Sequence, residues 1–288
     1  MAQTAIEFNS VGYTYHSGTS LASSGIRDVT FTIPSGSFTA IIGQTGSGKS
    51  TLVNLIAGLS KPTTGEVTVL GQSLTKQSNK AQQAGIQQSV GYVFQFPEHQ
   101  LFANTVWDDV AFGPRNLGWS TAKINQQVQT ALEQVNFPTN RYQQSPLELS
   151  GGQQRLAAIA GVLVMQPQIL ILDEPTAGLD SGASQRLLLL LNQLHQAGVT
   201  IIMITHHLEY VAEHADRVML MGDGQLQFAG HPQELFRNAE LMKHNHVLPP
   251  AAVQLGQQLL PPGTNLPLSL NELAKKLATQ LKAGEQDE

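Results

Sequence analysis

The sequence predicts an α/β fold in which a mostly parallel sheet carries helices on both faces, with a helical block inserted in the middle and a small helical extension at the C-terminus. Three observations carry this reading. In the second half, apolar runs of strand length alternate with amphipathic stretches (Ile169–Asp173, Gly182–Gln196, Val199–Thr205, His207–Ala215, Val218–Met221), the pattern of strands buried on both faces. A glycine-rich turn at 43–48 joins a strand-like run to a helix-like one. Between about Val106 and Met165 the period turns helical, which places an inserted subdomain between two strand-rich parts.

Taken in order, Ile6–Val11, Asp28–Ile33 and Phe38–Ile42 read as strands, and Lys49–Leu59 as a helix. Glu66–Leu70 and Val90–Phe94 are two further strands. Helices are expected at Ala122–Val135 and Gly152–Met165, the second behind Ser150, a residue type favoured at N-caps. Beyond Arg237 the character changes to a Gln- and Leu-rich tail punctuated by Pro249-Pro250 and Pro261-Pro262. Ser269-Leu270-Asn271-Glu272 is a capping-box pattern opening an amphipathic helix with Leu270, Leu273, Leu277 and Leu281 on one side. The expected division is therefore 1–237 as the main domain, with a helical subdomain at about 96–165, and 238–288 as the extension.

Composition bounds the function. The 288 residues are 41% hydrophobic, enough for a sizeable core, and the net charge of −5 gives no reason to expect non-specific nucleic-acid binding. With no cysteine, thiol catalysis and Cys-ligated zinc are excluded. No apolar run reaches the roughly 18–20 residues that cross a bilayer, and Met1–Asn9 lacks a signal-peptide pattern, so any membrane role is expected to be peripheral and cytoplasmic.

The chemistry begins at Gly43-Gln44-Thr45-Gly46-Ser47-Gly48-Lys49-Ser50, followed by Thr51. This fits G-x-x-x-x-G-K-[ST] in the strand-turn-helix setting the motif requires. Glycines let successive N–H groups point at phosphate oxygens, and the helix N-terminus adds favourable partial charge. Lys49 is placed for the β- and γ-phosphates and the Ser50 hydroxyl for Mg²⁺. A second site lies at Ile169–Glu174, an apolar strand ending in two carboxylates. Asp173 suits the metal, and Glu174, one residue on, turns elsewhere and can polarise a water. Either motif alone could be a plain surface turn; together they indicate nucleotide chemistry.

Leu149-Ser150-Gly151-Gly152-Gln153-Gln154-Arg155, about a hundred residues after the cradle and shortly before the acidic strand, resembles the signature of ATP-binding-cassette (ABC) ATPases. The resemblance implies a P-loop cassette fold and ATP with Mg²⁺ as ligands. It further implies that Ser150, Gly151 and Gly152 complete the ATP site of a partner subunit. On the same resemblance, Gln95 corresponds to the glutamine that meets Mg²⁺ and the attacking water. Ala177–Asp180 corresponds to the loop crossing the dimer interface, and His206 to the histidine sensing the γ-phosphate. His207 follows where the family often has Asp, and register alone favours His206. Tyr15 is similar to the aromatic that stacks on adenine, with Tyr13 as the alternative. The resemblance covers roughly Ala5–Phe236.

Phe94–Phe102, Ala157–Leu163 and the short helical tail resemble the energy-coupling factor (ECF) branch, and Asp173–Asp180 looks like the second ATPase of its pair. That implies a vitamin or micronutrient importer: a heterodimer of homologous ATPases on a membrane coupling protein with a substrate-binding membrane subunit, and no nucleic acid. The tail would hold the pair together. Alternatives are the ATPase of another ABC importer class, or a soluble non-transport ABC ATPase, against which the lack of a long heptad pattern speaks.

Overall fold

The alternation of side chains along β7 (Ile169–Asp173) organises the molecule. In the computed structural model, which describes residues 3–261 and 264–284, Ile169 and Ile171 enter one buried cluster and Leu170 and Leu172 another on the opposite face. β8 (Thr200–Ile204) repeats this, Ile202 and Ile204 facing one way and Ile201 and Met203 the other. Period-two side chains buried on both faces explain why these strands read as uninterrupted apolar runs.

Among the described residues, ten strands form two sheets. β1 (Thr4–Tyr15), β2 (Ser23–Pro34), β4 (Thr64–Val69) and β5 (Gln72–Leu74) make an antiparallel sheet in the order β2-β1-β4-β5. β3 (Phe38–Ile42), β6 (Val90–Val93), β9 (Arg217–Gly222) and β10 (Gln225–Gly230) join β7 and β8 in a second sheet, β10-β9-β3-β8-β7-β6, parallel except for β10. The cluster between the sheets holds Phe8, Ile33 and Ile41 with α1 (Lys49–Ile56). On the far face, α3 (Val106–Asn116), α4 (Thr121–Gln134) and α5 (Gly151–Leu163) form the helical subdomain, which shares its core with α6 (Ser181–Gln196). Side-chain caps start these helices: Thr105, Ser120 and Ser150 accept from Asp108 N, Lys123 N and Gln153 N.

Among the elements that the apolar pattern did not mark are α2 (Lys80–Ser89) and β10. α2 buries only Ile86 and is started instead by a capping box between Asn79 and Gln82, a signal present in the sequence. β10 follows β9 through Asp223 and Gly224, whose φ values of 50° and 72° suit a tight hairpin turn, for which Asp-Gly is a sequence marker.

The tail is not separately cored. α7 (Leu208–His214), α8 (Pro232–Arg237), α9 (Ala239–His244) and α10 (Ala251–Leu259) build a third cluster in which Phe236, Met242, Val253 and Leu266 pack with Ala40 and Ile42 of β3. Of the expected leucine stripe on α11 (Leu270–Gly284), Leu273 is buried, Leu277 half-buried and Leu270 exposed; the Leu281 side chain and Pro262 lie outside the described residues.

Candidate nucleotide site

The parallel strands end together, and their carboxyl ends gather the chemistry, as expected for an open α/β sheet. β3 runs into the glycine turn, β6 into Gln95, β7 into Asp173 and Glu174, and β8 into Thr205 and His206. A cleft of about 610 Å³ is lined by Tyr15, Thr45, Gly46, Gly48, Lys49, Ser50, Thr51, Gln95, Asp173, Glu174, His206 and His207, among others.

The turn takes its shape from backbone conformations that side chains resist. Gly43 has φ 139°, and a Cβ there would run into the Met221 carbonyl oxygen. Gly48, at φ 101°, is the left-handed residue from which α1 starts, with Ile26 and the Gly25 carbonyl packed against it. Lys49 is buried and its ammonium donates to the Gly43 and Gln44 carbonyls at 2.6 and 2.7 Å. Burial lowers its pKa, while the nearby Glu174 and Asp173 carboxylates work the other way.

Not every residue of the turn faces the cleft. Gln44 points behind it, its amide donating to the Asn245 carbonyl at 3.3 Å, and Ser47 is buried beside the 221–223 hairpin with its hydroxyl unpartnered. The link from Gln44 to the segment after α9 joins residues 201 apart, so nothing local in the sequence marks it. Tyr15 lines the cleft: its hydroxyl lies 2.7 Å from Thr51 Oγ1, and its ring meets Tyr13 edge-on at 4.8 Å. Tyr13 is the more covered of the two and packs on the core behind.

At the acidic edge, burial raises the Asp173 pKa against the pull of Lys49 and of the nearby Tyr92 hydroxyl. Tyr92 was invisible to the motif reading. The register of β6 on β7 pairs it with Ile171, two residues before Asp173, and that register is a tertiary fact. Glu174 leaves the strand with φ 47°, a left-handed backbone conformation uncommon for a residue with a side chain. Its Oε1 is buried and lies 3.3 Å from His206 Nε2 without a well-aligned hydrogen bond. Burial raises its pKa; the His206 backbone N–H opposes this and the Asp173 charge adds to it. His206 is driven toward its neutral form, first by burial and then by Lys49. His207 instead precedes α7, with its ring 5.1 Å from Tyr210, so His206 is the histidine against the carboxylate.

The raised Glu174 pKa has a thermodynamic consequence. The native state binds this proton more tightly than the unfolded chain, so the ionised group costs stability above its folded pKa, and the cost fades as pH falls toward the ordinary value of 4.5. Without nucleotide, Glu174→Gln is expected to melt higher than the parent at pH 8, with the gap closing toward pH 4.5. Thermal melts across that range check it; a lower Tm at pH 8 would contradict it.

The signature residues are elsewhere. Ser150 and Gly152 line a separate hollow of about 350 Å³ with Asp180, which caps α6 by accepting from Ala183 N at 2.7 Å. Ser150 caps α5 reciprocally with Gln153, and the Gly151 and Gly152 positions have open space where a Cβ would be. The structure thus does not bring Ser150, Gly151, Gly152 or Asp180 to the chain's own cleft.

A glycine cradle at the end of β3, a carboxylate pair at the end of β7 and a capped signature helix in an inserted subdomain define an ABC-type ATPase cassette. Comparison with known proteins agrees: the ABC transporter family model matches residues 26–177. The energy-coupling factor transporter ATP-binding protein EcfA2 of Lacticaseibacillus paracasei is 43% identical over 97% of this chain and 99% of its own length. The protein of that name from Latilactobacillus sakei is 44% identical over 97% of each chain. The chain belongs to the energy-coupling factor transporter ATP-binding proteins. Among solved structures, cbiO1 of Clostridium perfringens, part of the ABC transporter complex cbiONQ, superposes with a TM-score of 0.74 at 32% identity, covering 89% of this chain and 99% of its own. A dimeric ATP-binding cassette in a post-hydrolysis state with ADP and Pi superposes at 0.70 with 28% identity, covering 79% of this chain and 98% of its own.

Proposed function

We propose that this chain hydrolyses ATP as one of a pair of homologous subunits, and that the pair powers an ECF-type importer of a vitamin or micronutrient from the cytoplasmic side of the membrane. The observation that carries this reading is the division of the site. The cleft holds the phosphate cradle and the catalytic carboxylate, whereas Ser150, Gly152 and Asp180 face a second hollow. A nucleotide held by both therefore needs two chains, the Ser150–Gly152 turn of one meeting the Gly43–Ser50 cradle of the other. Contacts to both subunits favour the closed pair, and cleavage of the γ-phosphate removes that link.

Within the cleft, Gly46, Gly48, Ser50 and Thr51 are placed to wrap the phosphates with backbone and hydroxyl donors, Lys49 to neutralise them, and Tyr15 to stack on the base. Gly43, Gln44 and Ser47 shape the turn from behind, while Thr45 lines the cleft. Ser50, Gln95 and Asp173 are an all-oxygen donor set that fits Mg²⁺. When bound, Mg²⁺ supplies charge neutralisation at the β- and γ-phosphates. Glu174 orients the attacking water, and neutral His206 holds the carboxylate edge and meets the γ-phosphate.

No helix among the described residues is long and apolar enough to cross a membrane; the likeness to transporter ATP-binding proteins is what supports membrane partners. The docking surface proposed is the 96–102 segment. Phe102 is 65% exposed and stacks edge-on with Phe112, whereas Leu101 is half-buried against the subdomain core. On the tail, exposed Leu255 and Leu259, one turn apart on α10, are the proposed contact to the paired ATPase. The test is purification of the chain from membranes with its companions: a homologous ATPase and two membrane proteins should co-purify. Phe102→Ser should reduce recovery of the membrane proteins severalfold while leaving ATP binding and thermal stability unchanged. Co-purification with ribosomes, or with no membrane protein, would refute the transport reading.

A further inference from the structure

Arg155 stands one turn into α5 and is 3% exposed. Every arm of its guanidinium is engaged. Nε and Nη2 donate to Glu98 Oε2 and Oε1 at 3.1 and 2.8 Å, and Nη1 donates to the carbonyls of Pro175 and Ala177 at 3.1 and 2.6 Å. The Phe96 ring lies 5.9 Å from the guanidinium carbon. One side chain thus ties together three segments distant in sequence: the 97–100 turn after Gln95, the helix behind Ser150–Gly152, and the loop leaving Glu174.

The energetics argue against a simple staple. A buried ion pair is weak evidence for stability, since desolvation offsets most of its attraction, and an apolar pair often does as well. Burial alone would raise the Glu98 pKa, yet the Arg155 fork and charge hold it below the ordinary value, so Glu98 stays ionised to serve the fork. What the remaining arm, Nη1, secures is backbone: the Pro175 and Ala177 carbonyls lie one and three residues beyond Glu174, whose φ of 47° is costly for a residue with a side chain. Such a conformation persists only where its surroundings hold it.

We propose that Arg155 is a positioning residue for hydrolysis, locking the backbone after Glu174 to the 97–100 turn so that the Glu174 carboxylate is aligned only while Glu98 keeps its place. The inference rests on the assignment of Glu174 as the water-orienting group. It gives a partner seated on the 97–100 turn a route to turnover that bypasses the nucleotide contacts.

A double-mutant cycle on the full chain, purified with its companion subunits, tests it. Arg155→Lys keeps the charge and loses the fork; Glu98→Gln keeps the shape and loses the charge. Each single variant should lower kcat by about tenfold to a hundredfold with the KM for ATP within about twofold, because a misplaced catalytic group affects the chemical step and not binding. The double variant should be no slower than the worse single, since both break one link. Amide exchange in 173–180 should quicken in each variant. Unchanged kcat in a folded single variant, additive losses, a rise in KM alone, or exchange in 173–180 left as in the parent would each overturn the proposal. If Arg155→Lys does not fold, kcat and exchange of Glu98→Gln decide. Glu174→Gln, run in parallel, separates the two readings: retained turnover there defeats the Glu174 assignment, while the exchange data still report on the link.

Discussion

Glu174→Gln is expected to bind ATP with unchanged affinity and to hydrolyse it at least about a hundredfold more slowly, the range a positioned general base supplies. The geometry isolates Glu174 for this role. Lys49 lies near both carboxylates, but Glu174, which leaves the strand with a left-handed φ, holds a buried Oε1 beside His206 that is free of well-aligned donors. Gln keeps the size and the contact with His206 but cannot draw a proton from water. The variant should therefore accumulate in the ATP-bound closed pair, visible by size-exclusion chromatography with Mg-ATP. Burst and steady-state phosphate release measure the rate. Turnover within about fivefold of the parent would move the catalytic role to His206 or Gln95.

The sequence made the site's backbone frame readable and left much of its side-chain wiring dark, for a physical reason. The ends of β3, β7 and β8 could be placed because strands buried on both faces leave unbroken apolar runs, and each run stops where a functional residue begins: Gly43 after Ile42, Asp173 after Leu172, His206 after Thr205. Glycine spacing carried the cradle because only glycine tolerates φ near 139° or 101°. The contacts Tyr92 to Asp173, Gln44 to Asn245 and Arg155 to Glu98 depend on how distant segments dock, and no period encodes them. Register alone favours His206 over His207, but its 3.3 Å approach to Glu174 is a contact that no register encodes. The tail shows a related limit. A leucine stripe says that a face must be covered, but only packing tells that Leu273 turns to the protein's own interior while Leu270 stays outside.

Lys49→Ala is expected to weaken ATP binding by two orders of magnitude or more. Lys49 is 8% exposed, and its side chain lies near the cradle, Asp173 and Glu174, so on the proposed role it would meet the β- and γ-phosphates in a partly desolvated setting. Hydrogen bonds to charged groups contribute about 1.5–3 kcal/mol each. Losing two of them is worth about 3 kcal/mol or more, or over about a hundredfold in Kd. A second effect runs the same way. The Gly43 and Gln44 carbonyls, now bonded to Nζ at 2.6 and 2.7 Å, lose their donor, and Asp173 and Glu174 lose the positive charge that favours their ionised forms. Lys49→Arg should recover little, because a planar fork cannot replace a compact ammonium between two carbonyls and two phosphates. Calorimetric titration with Mg-ATP measures all three proteins. A Kd for Lys49→Ala within about threefold of the parent, with a lowered Tm, would show that the lysine serves the turn and not the nucleotide.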